Sequence, residues 1–246
     1  APDIVTTIDF QRLNYTDQFQ HIPIDPTCAL VYLHSTYPQT PRRWPGPRFV
    51  AENSSGTLQW AHQYTETKAS AAIVQTVAHL NLLVALMLGA NPILLLGQDL
   101  SMPVDQHHAA GARAQDQAPN EVPADAFVLV DDMYGQPVHS RHSFLSMKTV
   151  FERIIAEHPA TTIYQCSEAG LALVGAQHCS LRDVLNTLPV HEAGESLRET
   201  LAVVAHKYVP KNHDALIPDV ETLWEQLGTF STAMCHIRAA SVALEE

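Results

Sequence analysis

A chain of 246 residues, 46% of them hydrophobic, is long enough for one large domain or one domain with a smaller appendage, and it can bury a full-sized core. The formal net charge of −12, from 14 Lys+Arg against 26 Asp+Glu, excludes a broad nucleic-acid-binding face but not a single bound nucleotide. Four cysteines, Cys28, Cys166, Cys179 and Cys235, show no C-x-x-C spacing and are expected to be reduced thiols in a cytoplasmic protein. The most apolar stretch runs from Ala69 to Leu88, but Gln75, His79 and Asn81 interrupt it. No run therefore reaches the roughly 18 apolar residues of a membrane span, and a buried helix is expected instead. No signal peptide is visible. The first residue is Ala1 rather than Met, which predicts a chain processed or cut from something longer.

In chain order, "DIVTTID" (3–9), "CALVYLH" (28–34) and "RFVA" (48–51) are short, β-branched or apolar runs bounded by turn residues, and predict strands. "PQTPRRWPGPR" (38–48) holds four prolines and predicts an irregular connection. A long helix over 69–88 then leads into a strand at 93–96, half of a β-α-β unit. "AFVLVDD" (126–132) predicts a further strand. Ser143 is placed to cap a helix running to about Glu157, with Phe144, Met147, Phe151, Ile154 and Ile155 as its apolar stripe and Pro159 as its stop. "TTIYQC" (161–166) predicts another strand. Beyond about residue 190 the strand signal ends, and two helices are expected over 195–207 and 219–243. The fold class is α/β: a Rossmann-like parallel sheet flanked by helices over 1–190, with a C-terminal all-helical segment over 191–246. The polar, alanine-rich segment 101–125 is too long for an ordinary connection, and is expected to be a lid, a binding loop or a disordered excursion.

Parallel strands would bring several acids to one sheet edge, where α/β proteins bind ligands. These are Asp9, Asp99, Asp131, Asp132 and Glu168. They suit a sugar, a ribose or an acid–base step; each could equally cap the next helix or turn. His107-His108 and His139-x-x-His142 lack converging cysteines or carboxylates, so a metal site is not expected. A histidine among them could still meet a phosphate or act as a base. G-x-S-x-G, G-x-x-x-x-G-K-[ST] and G-x-G-x-x-G are all absent, so any nucleotide must be held by another loop. Trp44 and Trp60 could face a partner or lie under the proline-rich connection.

"TVAHLNLLVALMLGANPILLLGQDLSM" (76–102), "HAAG" (108–111), "FERIIAEHP" (151–159) and "QCSEAGLALVG" (165–175) occur in an order and spacing that resembles the motility-associated-factor family, flagellin glycosyltransferases using nonulosonic, sialic-acid-like sugars. "PDIVTTID" fits the family's P-D-x-x-V-x-x-D strand, and the likeness covers about residues 2 to 188. The scaffold is also similar to bacterial sialyltransferases and to an archaeal 6-hydroxymethyl-dihydropterin pyrophosphokinase. The resemblance implies a metal-independent, inverting transferase. Its donor would be a CMP-activated nonulosonate, with flagellin or another surface protein as acceptor. It places Gly97, Gln98, Asp99, Ser167, Glu168 and Gly170 at the nucleotide sugar, with Thr76 at a helix start suited to phosphate. His108 would help the phosphate leave, and His139 and His142 are candidates for the base.

The chain departs from the family's usual forms at Gln75 (glycine there), Met102 and His108 (tyrosines) and Ala169 (glycine), and nothing matches the upstream nucleotide-binding half. Two other readings stay open. One is a pterin pyrophosphokinase needing ATP and Mg²⁺, the cation held by Asp99 with Asp131 or Asp132. The other is an interaction module whose site has decayed. Oligomeric state is not legible.

Overall fold

The computed structural model describes residues 1–51, 74–101, 127–188 and 196–207. The chain divides into two compact units, 1–51 with 73–202 and 52–72 with 203–246, and the described residues belong to the first except for 203–207. Its first half is a parallel ladder, β1 (Ile4–Thr7), β2 (Ala29–Leu33) and β3 (Arg48–Ala51), in sheet order β1-β2-β3. The connection from β1 to β2 carries α1 (Arg12–Gln18), and that from β2 to β3 carries α2 (Gln39–Arg43). Phe19, Cys28, Leu30 and Trp44 form the core beneath this sheet.

The second half begins with α3 (Val77–Met87), which descends into β4 (Ile93–Leu95). β4 pairs in parallel with β7 (Ile163–Gln165), and β7 with the two-residue β8 (Gln177–His178). Between them in sequence lie a hairpin, β5 (Phe127–Asp131) with β6 (Pro137–Arg141), and the long α4 (His142–Glu157). Leu82 from α3, Ile93 and Leu95 from β4, Val150, Phe151, Ile154 and Ile155 from α4, and Ile163 from β7 make the larger core. The alternation along β4 explains its part: Ile93 and Leu95 are buried, whereas Leu96, one residue past the strand, is 53% exposed. On α3, Asn81 takes the hydroxyl hydrogen bond of Thr6 in β1 at 2.6 Å. α5 (Leu181–Thr187) starts at Ser180, whose hydroxyl caps the Asp183 N–H. α6 (Leu197–Lys207) is tied to the first sheet by Arg198, which binds Asp3 at 2.6 Å and Asp25 at 3.0 Å. Among the described residues no helix is long and apolar enough to cross a membrane.

The α/β class and its parallel strands are as expected, and several details differ. The proline-rich connection holds a helix, α2, because Pro38 precedes it and Pro41 lies in its first turn, where no N–H is needed. α3 begins at Val77 rather than at 69: Thr76 is extended, and its hydroxyl accepts from the Ala78 N–H. Ser143 caps nothing; the chain enters α4 directly from β6, with extended Arg141 as the N-cap residue. The strand containing Asp131 is antiparallel to β6, so Asp131 and Asp132 close a hairpin and do not join a parallel sheet edge. Trp44 is only 5% exposed, and its indole N–H donates to the Cys28 carbonyl at 2.8 Å. The segment 102–125, Trp60, Cys235 and the helix expected over 219–243 lie outside the described residues.

Candidate functional site

Beyond β4 the backbone turns sharply. Gly97 has φ +66° and Leu100 φ +50°, so two left-handed residues bracket Gln98 and Asp99. Leu100 pays for that geometry with strain that a glycine would not feel. Three neighbours hold the turn. The Ser140 hydroxyl of β6, fully buried, donates to the Leu100 carbonyl at 2.8 Å. The Leu171 N–H donates to the Asp99 carbonyl at 2.8 Å. The buried Gln165 side chain gathers the rest: its amide N–H groups reach Leu171 O at 2.8 Å and Gln98 O at 3.4 Å, and its oxygen accepts the Leu173 N–H at 2.9 Å.

This turn forms one wall of a cavity of about 300 Å³, lined by Thr76, Gly97, Gln98, Asp99, Leu100, Ser101, Phe144, Met147 and Phe151. The volume is at the lower end for small-ligand sites. Thr76 brings the N-terminus of α3 to it, and its hydroxyl, accepting from Ala78 N–H at 2.9 Å, keeps its own proton to donate. A Cβ built on Gly97 meets nothing within 4 Å, so that side of the turn is open. α4 supplies the apolar wall. Among the described residues, the lining holds one carboxylate, Asp99, and no cation. A phosphate there would depend on N–H groups, hydroxyls and the helix dipole, while Asp99 suits hydroxyl donors.

Four of the expected binding residues, Thr76, Gly97, Gln98 and Asp99, thus converge on one cavity. Gly170 has a different task. At φ +104° its ideal Cβ would lie 2.2 Å from the Asp99 carbonyl oxygen, so only glycine lets this loop pack onto the turn. Its own carbonyl accepts the Met133 N–H of the β5–β6 hairpin at 2.9 Å. Ser167 is 6% exposed and its hydroxyl has no hydrogen-bond partner. It follows β7 by two residues, and its carbonyl accepts from His178 Nε2 at 2.9 Å. Glu168 is exposed and does not line the cavity. His139 lies on β6 next to Ser140, so it projects from the opposite face, its ring edge-on to Phe127 at 6.2 Å. His142 is exposed at the start of α4, and neither histidine lines the cavity. His108 lies outside the described residues. Of the other acids, Asp132 accepts the Tyr134 and Gln136 N–H groups at 2.8 Å each, the work of a turn.

Sequence reasoning passed over His79. It is fully buried; Gln75 N–H donates to its Nδ1 at 3.4 Å, so Nε2 carries the proton and donates to Met147 O at 3.0 Å. Its ring stands edge-on to Phe151 at 4.4 Å. Burial, foremost, holds its pKa below the usual histidine value. His79 therefore acts as a neutral bolt between the start of α3 and α4, the two elements that face each other across the cavity. Its position three residues after the cap was the available signal. Ser101 was also missed; it follows the G-Q-D-L run by one residue.

Comparison with known proteins follows the same lines. Residues 1–105 match the family model described as MptE-like, 6-hydroxymethylpterin diphosphokinase MptE-like. No curated protein matches the chain. Among solved structures, the MAf glycosyltransferase from Magnetospirillum magneticum AMB-1 is similar, with a TM-score of 0.57 and 17% sequence identity, over 89% of this chain and 32% of that one. At that identity the likeness is one of fold, and the chain spans about a third of the other protein's length. The first 105 residues thus resemble the MptE-like family, and the fold is similar to that of the MAf glycosyltransferase.

Proposed function

We propose that the cavity after β4 holds the nucleotide-phosphate end of an activated sugar. In this reading the chain is part of a glycosyltransferase whose donor is a CMP-activated nonulosonate and whose acceptor is flagellin or another surface protein. The convergence of Thr76, Gly97, Gln98 and Asp99 on one cavity carries the reading. The transferase-type fold supports it. Thr76 and the first N–H groups of α3 would meet phosphate oxygens, the helix dipole adding to the attraction. Asp99 would accept from ribose or sugar hydroxyls, and the Gln98 amide would both donate to and accept from them. Ser167, buried just past β7 with its hydroxyl unbonded, would complete its hydrogen bonding on the ligand or on a backbone group that shifts when the ligand binds. Glu168 is proposed for the acceptor side, as it is exposed beyond the same strand. His108 is proposed as the group that assists departure of the phosphate. His139 and His142, lying off the cavity, receive no role.

The description of the matching family model favours a second reading, Mg²⁺-dependent diphosphoryl transfer from ATP to a pterin. The cation would need Asp99 with Asp131 or Asp132. Against this, Asp132 is engaged in its turn, and among the described residues no group of three His, Cys, Asp or Glu could hold a metal ion.

A thermal-shift panel of CMP, a CMP-activated nonulosonate, UDP and ATP, each with Mg²⁺ or EDTA, separates the two. A ligand at about 100 times its dissociation constant adds about 2.7 kcal/mol. For a chain of this length that raises Tm by several degrees. A CMP-selective shift that survives EDTA and disappears in Asp99→Asn is the expected result. An ATP shift requiring Mg²⁺ selects diphosphoryl transfer, and no shift with any of the ligands refutes both readings.

A further inference from the structure

At the ends of β7 and β8, away from the cavity lining, two thiols are brought side by side. The register of these strands pairs Tyr164 with Gln177 and Gln165 with His178. The ladder continues past the last pair, since the Cys179 N–H donates to the Gln165 carbonyl at 3.3 Å. On the opposite side of β7, the Cys166 N–H donates to the Leu95 carbonyl at 2.9 Å, which keeps Cys166 on the strand path. The next facing pair is therefore Cys166 with Cys179. Neighbouring strands run about 4.8 Å apart, and facing side chains leave the same face of the sheet. A disulfide accepts Cα separations of about 4.4 to 6.8 Å. Both thiols are free and partly exposed, unlike the buried Cys28. Burial, foremost, raises the pKa of the Cys166 thiol, and the neighbouring Cys179 raises it further.

We propose that Cys166 and Cys179 form a dithiol site that reacts with small disulfides of the glutathione class to give an intramolecular Cys166–Cys179 disulfide. One cysteine loses its proton to solvent, and its thiolate attacks a sulfur of the small disulfide, breaking that S–S bond and expelling one thiolate. The second cysteine, likewise deprotonated, attacks the protein sulfur of the mixed disulfide and expels the other thiolate. The two thiolates take up the two protons. The protein pair is oxidised by two electrons, and one small disulfide is reduced to two thiols. The product staples β8, an edge strand of two residues, to β7 one residue before Ser167.

The test uses the full chain in buffers of graded oxidised-to-reduced glutathione ratio, quenched with N-ethylmaleimide, digested and read by mass spectrometry. The expected product is a Cys166–Cys179 cross-linked peptide, two hydrogens lighter than the sum of its parts. It should rise with the ratio, vanish on dithiothreitol, and form several-fold more readily in the folded chain than in urea. Equal formation in urea overturns the proposal, as does a folded chain carrying only separate glutathione adducts or free thiols at these positions. In the variants Cys166→Ser and Cys179→Ser the resolving thiol is gone. At least one should accumulate the mixed disulfide on its remaining cysteine, and its absence from both overturns the proposal.

Discussion

Gly170→Ala isolates the contact on which the geometry of the cavity turn depends. The new Cβ would sit 2.2 Å from the Asp99 carbonyl oxygen and 2.6 Å from its Cα, at a backbone φ of +104°. Two costs add. A side chain forced into this sparsely populated conformation costs on the order of 1–3 kcal/mol. The overlap is with backbone, which cannot swing aside as a side chain does, and overpacking of this kind costs roughly 1–3 kcal/mol more. The sum, centred on about 4 kcal/mol, corresponds to a fall in Tm of about 8–16 °C for a chain of this length. Gly89→Ala is the matched control, since Gly89 has φ +74° but nothing within 4 Å of its ideal Cβ. It should lose only the conformational part, about 1–2 kcal/mol and a few degrees. Thermal melts of both variants by circular dichroism, followed by CMP titration of Gly170→Ala, read out stability and site geometry separately. Equal, small losses in the two variants would refute the reasoning, because the close approach to Asp99 would then carry no energy.

Three other perturbations follow from the same contacts. Ser167→Ala removes a buried hydroxyl that has no partner, so Tm should hold or rise by about 2–4 °C, while ligand affinity falls by a factor of about 2 to 12, the worth of one neutral hydrogen bond; a clear loss of Tm would mean the hydroxyl is bonded within the folded chain. Burial holds the folded pKa of His79 below the ordinary histidine value of 6.5, so the unfolded chain binds more protons below that pH. Its stabilising contribution is complete above about pH 6.5 and is lost as pH falls toward the lower folded value; in melts over a pH series, the Tm gap between wild type and His79→Gln should narrow across that window, and a constant gap would contradict the neutral bolt. Arg198→Ala removes hydrogen bonds to Asp3, Asp25, Thr27 and the carbonyls of Ala1 and Pro2, so amide exchange should speed up at Ala29, bonded to Asp3 O, and stay unchanged along α4.

What the sequence discloses divides by the range of the interaction that decides it. β2, β3, β4 and the stripe of α4 follow from local pattern: alternation or a short apolar run for the strands, the 3.6-residue period for the helix. The short elements α1, α2, β6 and β8 have weak local signals and exist because a neighbour completes them. β6 carries His139, Ser140 and Arg141, a polar run no propensity would favour, and is fixed by five register pairs with β5. That misjudgement propagated to the acids. With β5 taken as parallel, Asp131 and Asp132 joined the ligand edge; once the strand is antiparallel they belong to a turn.

The same distinction separates the two halves of the candidate site. Gly97, Gln98 and Asp99 were legible as candidates because ligands of α/β folds bind beyond strand ends, whereas Thr76 was reached only through the family resemblance: with the helix expected from 69, it lay inside the helix and not at its cap. Gly170 was legible as a glycine but not in its role, which depends on Asp99, seventy-one residues earlier in the chain. His79 illustrates the limit most sharply. In the sequence it is a polar interruption in an apolar helix; in the fold, the Gln75 N–H on one side and the Met147 carbonyl on the other make burial of its ring tolerable, since both of its nitrogens are bonded. The start of α3 is one wall of the cavity, and the residue that holds it against α4 lies three positions after the cap, on the side turned toward α4. Cavity-lining residues such as Gly97 and Asp99 could be found from where a strand ends. The residues that fix those ends in place could be found only from what they touch.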